Sequence, residues 1–307
     1  MRVTENSTMK MVLAMLQQQQ EKVNTLQQQV SSGSRINEPS DDPISAQQAL
    51  DLKGLLAATD QYSRNIQTGT TWLNQMDSSM SDMNNVLTRV KELATQMANS
   101  TYNAGARQTA ANEVTQLRDQ MIALGNTQIA GKYIFGGFAG DQPPFVATDG
   151  VPPSVEKTGD FKGTDDPLQI QIDQQSFIAI NYSGGKLLRG GTPPGSSGTD
   201  VIGTINDLIT ALISNNEPGI VSSINGLNSS LQQIQAAQGD VGARENRLQN
   251  ADNVLTGTKD YLTKAISAKQ DTDLTQVLTD LAKQQLAYQA TLAASAQFSK
   301  LSLLDYM

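Results

Sequence analysis

The sequence predicts a mainly α-helical protein: a long-helix rod or bundle, terminal coiled-coil helices and a β-containing insert. Three observations carry that prediction. Apolar residues recur at alternating three- and four-residue steps over most of the chain, the period of a helix with one buried face. Seven of the ten prolines fall between Pro143 and Pro194, none lies from Ile44 to Gln142, and only Pro218 follows Pro194. Seven of the fourteen aromatic residues crowd between Tyr133 and Tyr182. Proline is excluded from helix interiors, so the flanks are free to be helical and the middle is not.

The first segment, residues 1–42, carries a seam of Met9, Val12, Leu16, Gln19, Val23, Leu26 and Val30. Next, Ser40-Asp41-Asp42-Pro43 marks a helix start: Asp42 caps the free N–H groups, and Pro43 suits the first helical position. The following stripe runs Leu52, Leu55, Thr59, Tyr62, Ile66, Gly69, Leu73, Met76, Met80, Met83, Leu87, Val90, Ala94 and Met97, broken only at Thr59 and Gly69. That is one amphipathic helix of about 70 Å, with Leu73, Met76, Met80, Met83, Leu87 and Val90 as its core. It ends in Asn99-Ser100-Thr101-Tyr102-Asn103-Ala104-Gly105. A second helix follows, with Ala110, Val114, Leu117, Met121 and Leu124 on one face, and stops before Gly131.

The insert, 141–200, shows strand alternation in Leu168–Ile172 and Ile178–Tyr182, with Asp173–Ser176 as the hairpin turn. Gly190–Gly198 reads as a flexible return. Helical patterns then resume in three groups: Ile205-Leu208-Ile209-Leu212, Ile224-Leu227-Leu231-Ile234 and Leu248-Val254-Leu255-Leu262-Ile266. Residues 201–266 thus complete the helical domain begun by 43–140. The last segment, 267–307, pairs with 1–42 through Leu274, Leu278, Leu281, Gln285, Tyr288, Leu292, Ser295 and Ser299. Both terminal seams are narrow and interrupted by polar residues, and an isolated helix of this kind does not offset its ordering entropy. Each is expected to order only against a partner helix, first the other terminus and then helices of neighbouring copies.

Composition removes most chemistry. Lysine plus arginine is 22 against 30 for aspartate plus glutamate, a net charge of −8 that disfavours nucleic acid and anionic lipid. There is no cysteine and no histidine, so thiol nucleophiles, the usual general base and the common zinc ligands are missing. No catalytic, cofactor or metal site is expected, and no spacing suggests a Ser–Lys pair. The longest early apolar run, Met11–Leu16, is too short for a signal peptide or a membrane span. Any export is therefore expected without a cleaved leader, and no membrane insertion is expected.

The remaining motifs read as structure. Gly125 and Gly131 miss phosphate-loop spacing, and Tyr133 stands where a Ser/Thr is needed after Lys132. Asp41-Asp42 reads as a cap and Asp165-Asp166 as a solvated turn. The Asn-x-Ser/Thr sites at Asn6, Asn99, Asn181 and Asn228 carry no weight in a Ser/Thr-rich chain. Met76, Met80 and Met83 read as core filler. Gln17–Gln20 and Gln27–Gln29 read as helix surface that meets other polar helices.

Four segments carry a family resemblance: Met1-Arg2-Val3-Thr4; Ser31-Ser32-Gly33-Ser34-Arg35-Ile36-Asn37-Glu38-Pro39-Ser40-Asp41-Asp42-Pro43; Gly131-Lys132-Tyr133-Ile134-Phe135-Gly136-Gly137; and Leu301-Ser302-Leu303-Leu304-Asp305-Tyr306-Met307. In this order they resemble the bacterial flagellin superfamily over roughly 1–140 and 200–307. The prolines at 39 and 43 and the Leu-Ser-Leu-Leu-Asp-Tyr ending favour its hook–filament junction branch over its filament branch. The resemblance implies a non-enzymatic, extracellular flagellar subunit, exported unfolded through the flagellar type III apparatus. It implies terminal helices in an inner tube and an insert pointing outward. The partners it implies are copies of the chain in a ring, another hook-associated protein on the hook side, flagellin on the filament side and an export chaperone. A filament subunit is the first alternative. Another self-associating secreted coiled-coil protein, such as an adhesin or a secretion-needle tip, is the second, and an enzyme grafted into the insert ranks last.

Overall fold

Asp42 caps a helix as its position predicts. Its side chain accepts from the Ser45 N–H at 3.1 Å and its carbonyl from Ala46 at 2.9 Å. In the computed structural model, which describes residues 5–146, 160–191 and 193–304, that helix is α2, Pro43–Met97. It follows α1 (Glu5–Ser32) and precedes α3 (Ala104–Gly125), α4 (Gly184–Leu188), α5 (Val201–Ile213), α6 (Glu217–Gln270) and α7 (Leu274–Leu304). Among the described residues, six short strands, β1 Gln128–Ile129, β2 Lys132–Tyr133, β3 Phe145–Val146, β4 Asp160–Phe161, β5 Gln169–Gln171 and β6 Phe177–Ala179, form three antiparallel pairs, β1–β2, β3–β4 and β5–β6. The mainly α fold with a small β portion stands. Met1–Thr4 and Asp305–Met307, parts of two of the quoted segments, lie outside the described residues.

The chain divides into two compact units, one of residues 1–58 with 257–307 and one of 59–256. The division falls inside α2 and inside α6, not at the punctuation near Asp42 and residue 267. Residues 141–200 do not stand apart: Phe145, Ile172, Ile178, Ile180, Leu187 and Leu188 join the hydrophobic core of the 59–256 unit.

In that unit the α2 stripe is buried without exception from Ile66 to Met97. Leu73, Met76, Met80, Met83, Leu87 and Val90 have no solvent exposure. The two breaks in the stripe are buried as well. At Gly69 an added Cβ would lie 2.6 Å from Ile170 and 3.2 Å from Leu248, so the missing side chain makes room for the β5–β6 hairpin. The stripe fails only at its start, where Leu55 is 58% exposed.

The three apolar groups after Gly203 resolve into two helices, not three. Ile220, Leu227, Ile234, Val241, Leu248, Leu255 and Leu262 of α6 are buried at strict seven-residue intervals, the repeat of a left-handed supercoiled seam. Val254 lies off this stripe and is exposed. Within the 59–256 unit α6 runs antiparallel to α2, with Ser63 donating to Asp252 at 3.4 Å and Asn84 to Gln238 further along.

The insert is held down by side-chain amides and guanidinium groups. Asn126 brackets Phe145, donating to its carbonyl at 2.7 Å and accepting from its N–H at 2.9 Å. The Phe145 and Phe161 rings sit 5.5 Å apart across β3–β4. Gln233 on α6 donates to the carbonyls of Leu187 (2.9 Å) and Thr199 (3.0 Å), and Arg244 to that of Asn181 (2.7 Å). Asn181, one of the four Asn-x-Ser/Thr sites, is buried and pins Leu168 at 2.7 Å. The β5–β6 pairing, Gln169↔Ala179 to Gln171↔Phe177, matches the expected hairpin. Two features were unforeseen. α4 precedes the Gly190 return. Asp165 is half-buried and bonded by Ser183, so it is not a solvated turn residue. As expected, α3 stops before Gly131, at Gly125, and a β1–β2 turn follows with Ala130 and Gly131 both at positive φ.

Arg107 closes one end of this unit. It is buried, donates to the Met97 carbonyl at 3.1 Å and to Asn215 at 2.6 Å, and lies 3.6 Å from Glu217. It thereby holds the last turn of α2 against the α5–α6 turn.

Candidate assembly surface

The terminal unit is built from short connectors outward. Helix α1 ends at Gly33, whose positive φ (67°) permits its N–H to bond the Gln29 carbonyl at 3.0 Å. Helix α6 ends at Gln270, and Asp273 caps α7 by accepting from Thr275 (2.9 Å) and Gln276 (3.2 Å). The two connectors bond to each other. Arg35 N–H donates to the Gln270 carbonyl at 2.7 Å, Thr272 N–H to the Gly33 carbonyl at 3.1 Å, and Ser34 Oγ to Gln270 at 3.1 Å.

The Arg35 side chain completes this strap. It donates to the Lys269 carbonyl at 3.0 Å and pairs with Asp42 at 3.4 Å. Asp41 accepts from the N–H groups of Glu38 (2.9 Å) and Asn37 (3.0 Å). Both carboxyls are held below the ordinary aspartate value of 3.8. For Asp41 the cause is the Glu38 N–H and then the Asn37 N–H. For Asp42 it is the Ser45 side chain, then the Ser45 N–H, with Arg35 adding to them. The sequence reading named Asp42 and Pro43 but missed the strap, because Ser34 and Arg35 show their partners only once residues 269–272 lie beside them. Their signal was a dense run of Gly, Ser, Asn, Pro and Asp between two helices, which says turn and not which turn.

From the strap, α1 and α7 run antiparallel, with Gln284 Nε2 donating to Gln19 Oε1 at 2.6 Å. On α1 the predicted seam is the inward face: Val12, Leu16, Gln19, Val23, Leu26 and Val30 are half-buried among exposed neighbours. The side chain of Met9 lies outside the described residues. On α7 the predicted seam is only partly the inward face. Leu281, Tyr288 and Ser295 are half-buried, but Leu274, Leu278 and Leu292 are 48%, 50% and 42% exposed. The inward positions are Val277, Leu281, Gln284, Tyr288, Thr291 and Ser295. Both sets fit a three–four spacing, and the leucine set is the more apolar, so periodicity favoured it.

The surface thus presents apolar side chains with nothing over them in the subunit: Leu274, Leu278 and Leu292 on α7, and Met11, Leu13 and Met15 on α1. Among the described residues no three His, Cys, Asp or Glu side chains cluster to hold a metal ion, and no helix is long and apolar enough to cross a membrane.

Comparison with known proteins agrees with this architecture. Residues 3–139 match the bacterial flagellin N-terminal helical region and residues 224–307 the bacterial flagellin C-terminal helical region. The chain is 26% identical over 294 residues to the flagellar hook-associated protein 3 of Escherichia coli K12, covering 90% of each chain. It is 23% identical over 278 residues to the flagellin of Bacillus subtilis 168, covering 88% of this chain and 87% of that one. Among solved structures it is similar to a flagellar hook-associated protein from Vibrio parahaemolyticus, with TM-score 0.67, 20% identity, and coverage of 75% of this chain and all of that one. It is also similar to the flagellar junction protein FlgL from Legionella pneumophila, with TM-score 0.58, 15% identity, and coverage of 73% and 100%. The two helical regions fall on the elements that carry the exposed seam and on the α2–α6 core, and the chain belongs to the bacterial flagellin family.

Proposed function

We propose that this chain is a structural subunit of the bacterial flagellum that joins hook to filament, and that it works by self-assembly of its terminal helices. The observation that carries the reading is the terminal unit itself. Its two paired helices leave Leu274, Leu278, Leu292, Met11, Leu13 and Met15 uncovered, surface that is stabilised only when copies pack side by side. Val12, Leu16, Val23, Leu26 and Val30 with Leu281 and Tyr288 then hold each subunit's own pair together, and the leucine stripe meets the neighbours. Copies in a ring, a hook-associated protein below and flagellin above are the partners that this reading implies. Subunits reach it through the flagellar export route with a chaperone covering the same apolar surface.

The junction role separates from the filament role in a deletion strain. Cells lacking the gene are expected to keep hooks and shed flagellin into the medium. Hooks that still carry filaments would overturn the junction reading, and hooks still capped by junction proteins with no flagellin in the medium would point to a filament subunit.

A further inference from the structure

Helix α7 carries two candidate seams about one residue out of phase. One is Val277, Gln284 and Thr291; the other is Leu278, Gln285 and Leu292; Leu274, Leu281, Tyr288 and Ser295, spaced by sevens, serve either. Apolar content alone would turn the leucines toward α1, where they would be covered. The structure does the opposite: Val277 is 9% exposed and Leu278 is 50% exposed. One side-chain bond marks this phase: past the reach of the strap, Gln284 donates to Gln19, while Gln285 is exposed.

We infer that Gln284, through its bond to Gln19, is the positioning residue that sets which face of α7 turns toward α1 and therefore keeps the leucine stripe uncovered. A polar pair inside an otherwise apolar helix seam is a register and orientation device. It costs stability relative to two leucines and excludes arrangements that leave an amide unpaired. That the uncovered stripe meets a second copy rests on the proposed function; the phase of α7 does not.

The chain has no cysteine, so engineered pairs report the phase cleanly in the unassembled subunit. The Gln19–Gln284 register sets Leu26 opposite Val277 and Val12 opposite Thr291. Leu26→Cys with Val277→Cys is expected to close a disulfide, and Leu26→Cys with Leu278→Cys is not. Adding Gln284→Ala is expected to cut the first link several-fold and raise the second. Gln285→Ala leaves both unchanged, and Gln284→Glu, whose carboxylate accepts from a Gln19 amide turned over to donate, retains the first link. Val12→Cys with Thr291→Cys or Leu292→Cys repeats the measurement on the far side of the glutamine pair, and circular dichroism checks that helix content is kept. Equal links with Gln284→Ala and Gln285→Ala, or a Leu26–Val277 link indifferent to Gln284→Ala, overturn the inference. A shifted phase with assembly intact would leave the inference standing and count against the assembly role of the leucine stripe.

Discussion

The two units of this chain use one seven-residue pattern to opposite ends. In the 59–256 unit, the α2 stripe from Ile66 to Met97 and the heptad positions of α6 are buried, and other helices and the insert cover them. In the terminal unit, two helices share a seam that is half-buried at nearly every position and crossed by a Gln–Gln bond. Charge divides the same way. Residues 59–256 hold 12 basic and 19 acidic side chains, whereas the terminal unit holds 10 and 11. An acidic unit that fills its own core repels its copies; a nearly neutral one with uncovered apolar side chains attracts them. The contrast teaches that a coiled-coil pattern specifies the ability to pack, and the number of helices within reach decides whether packing is finished inside one chain.

The sharpest way to break this contrast is a carboxylate placed in each seam. Met80→Asp buries an unpaired charge and is expected to abolish folding of the 59–256 unit, read as loss of the cooperative transition of Trp72, the sole tryptophan, which packs against that core. Leu278→Asp remains solvated in the subunit, so its stability is expected to change by no more than about 0.5 kcal/mol while assembly is lost. A Leu278→Asp subunit that fails to fold would place that leucine in an ordinary core.

Next in size is Arg107→Ala, which leaves the Met97 carbonyl and Asn215 without their donor and is expected to cost about 3 kcal/mol in denaturant unfolding. Gly69→Val drives branched carbons into Ile170, Ile180 and Leu248 and is expected to cost about 1–3 kcal/mol, with strained docking of the β5–β6 hairpin. A neutral result there would show that the hairpin is mobile enough to yield.

The smallest effects belong to the strap. Asp42→Ala removes the N-cap of α2 and is expected to lower stability slightly in denaturant unfolding. Because the Asp41 and Asp42 carboxyls lie below 3.8 in the folded chain, the stability they contribute is present above the unfolded value and is lost as pH falls through the folded values. Protection of the Glu38 and Ser45 amides, taken relative to their intrinsic exchange rates at each pH, is therefore expected to fall in acid, below about pH 4. Unchanged protection in that range would show that these amides do not depend on ionised aspartates.

Much of this was legible in the residues. Asp42 and Pro43 mark the start of α2, the stripe to Met97 marks its buried face, and alternation around Asp173–Ser176 marks a hairpin, because caps, helical period and strand period are local properties of the chain. The α1 seam was legible for the same reason. Other features were not. Nothing in Leu274, Leu278 and Leu292 distinguishes a leucine that faces the partner helix from one that faces outward. Val254 matched a spacing and is exposed, and α6 was read in fragments because Val241, between Ile234 and Leu248, is flanked by Gln238, Arg244 and Glu245. Asn126, Gln233 and Arg244 looked like ordinary polar helix residues until the insert lay against them.

The sequence by itself therefore determined the helices, their caps, the place of the insert and a seam on each terminal segment, since these depend on residues a few positions apart. Tertiary structure alone decided which seam of α7 faces α1, that Ser34 and Arg35 strap two connectors together, and that the insert shares the core of the helices around it. Those outcomes turn on partners on other elements of the chain, where the winning contact is set by geometry between elements and not by the period within one.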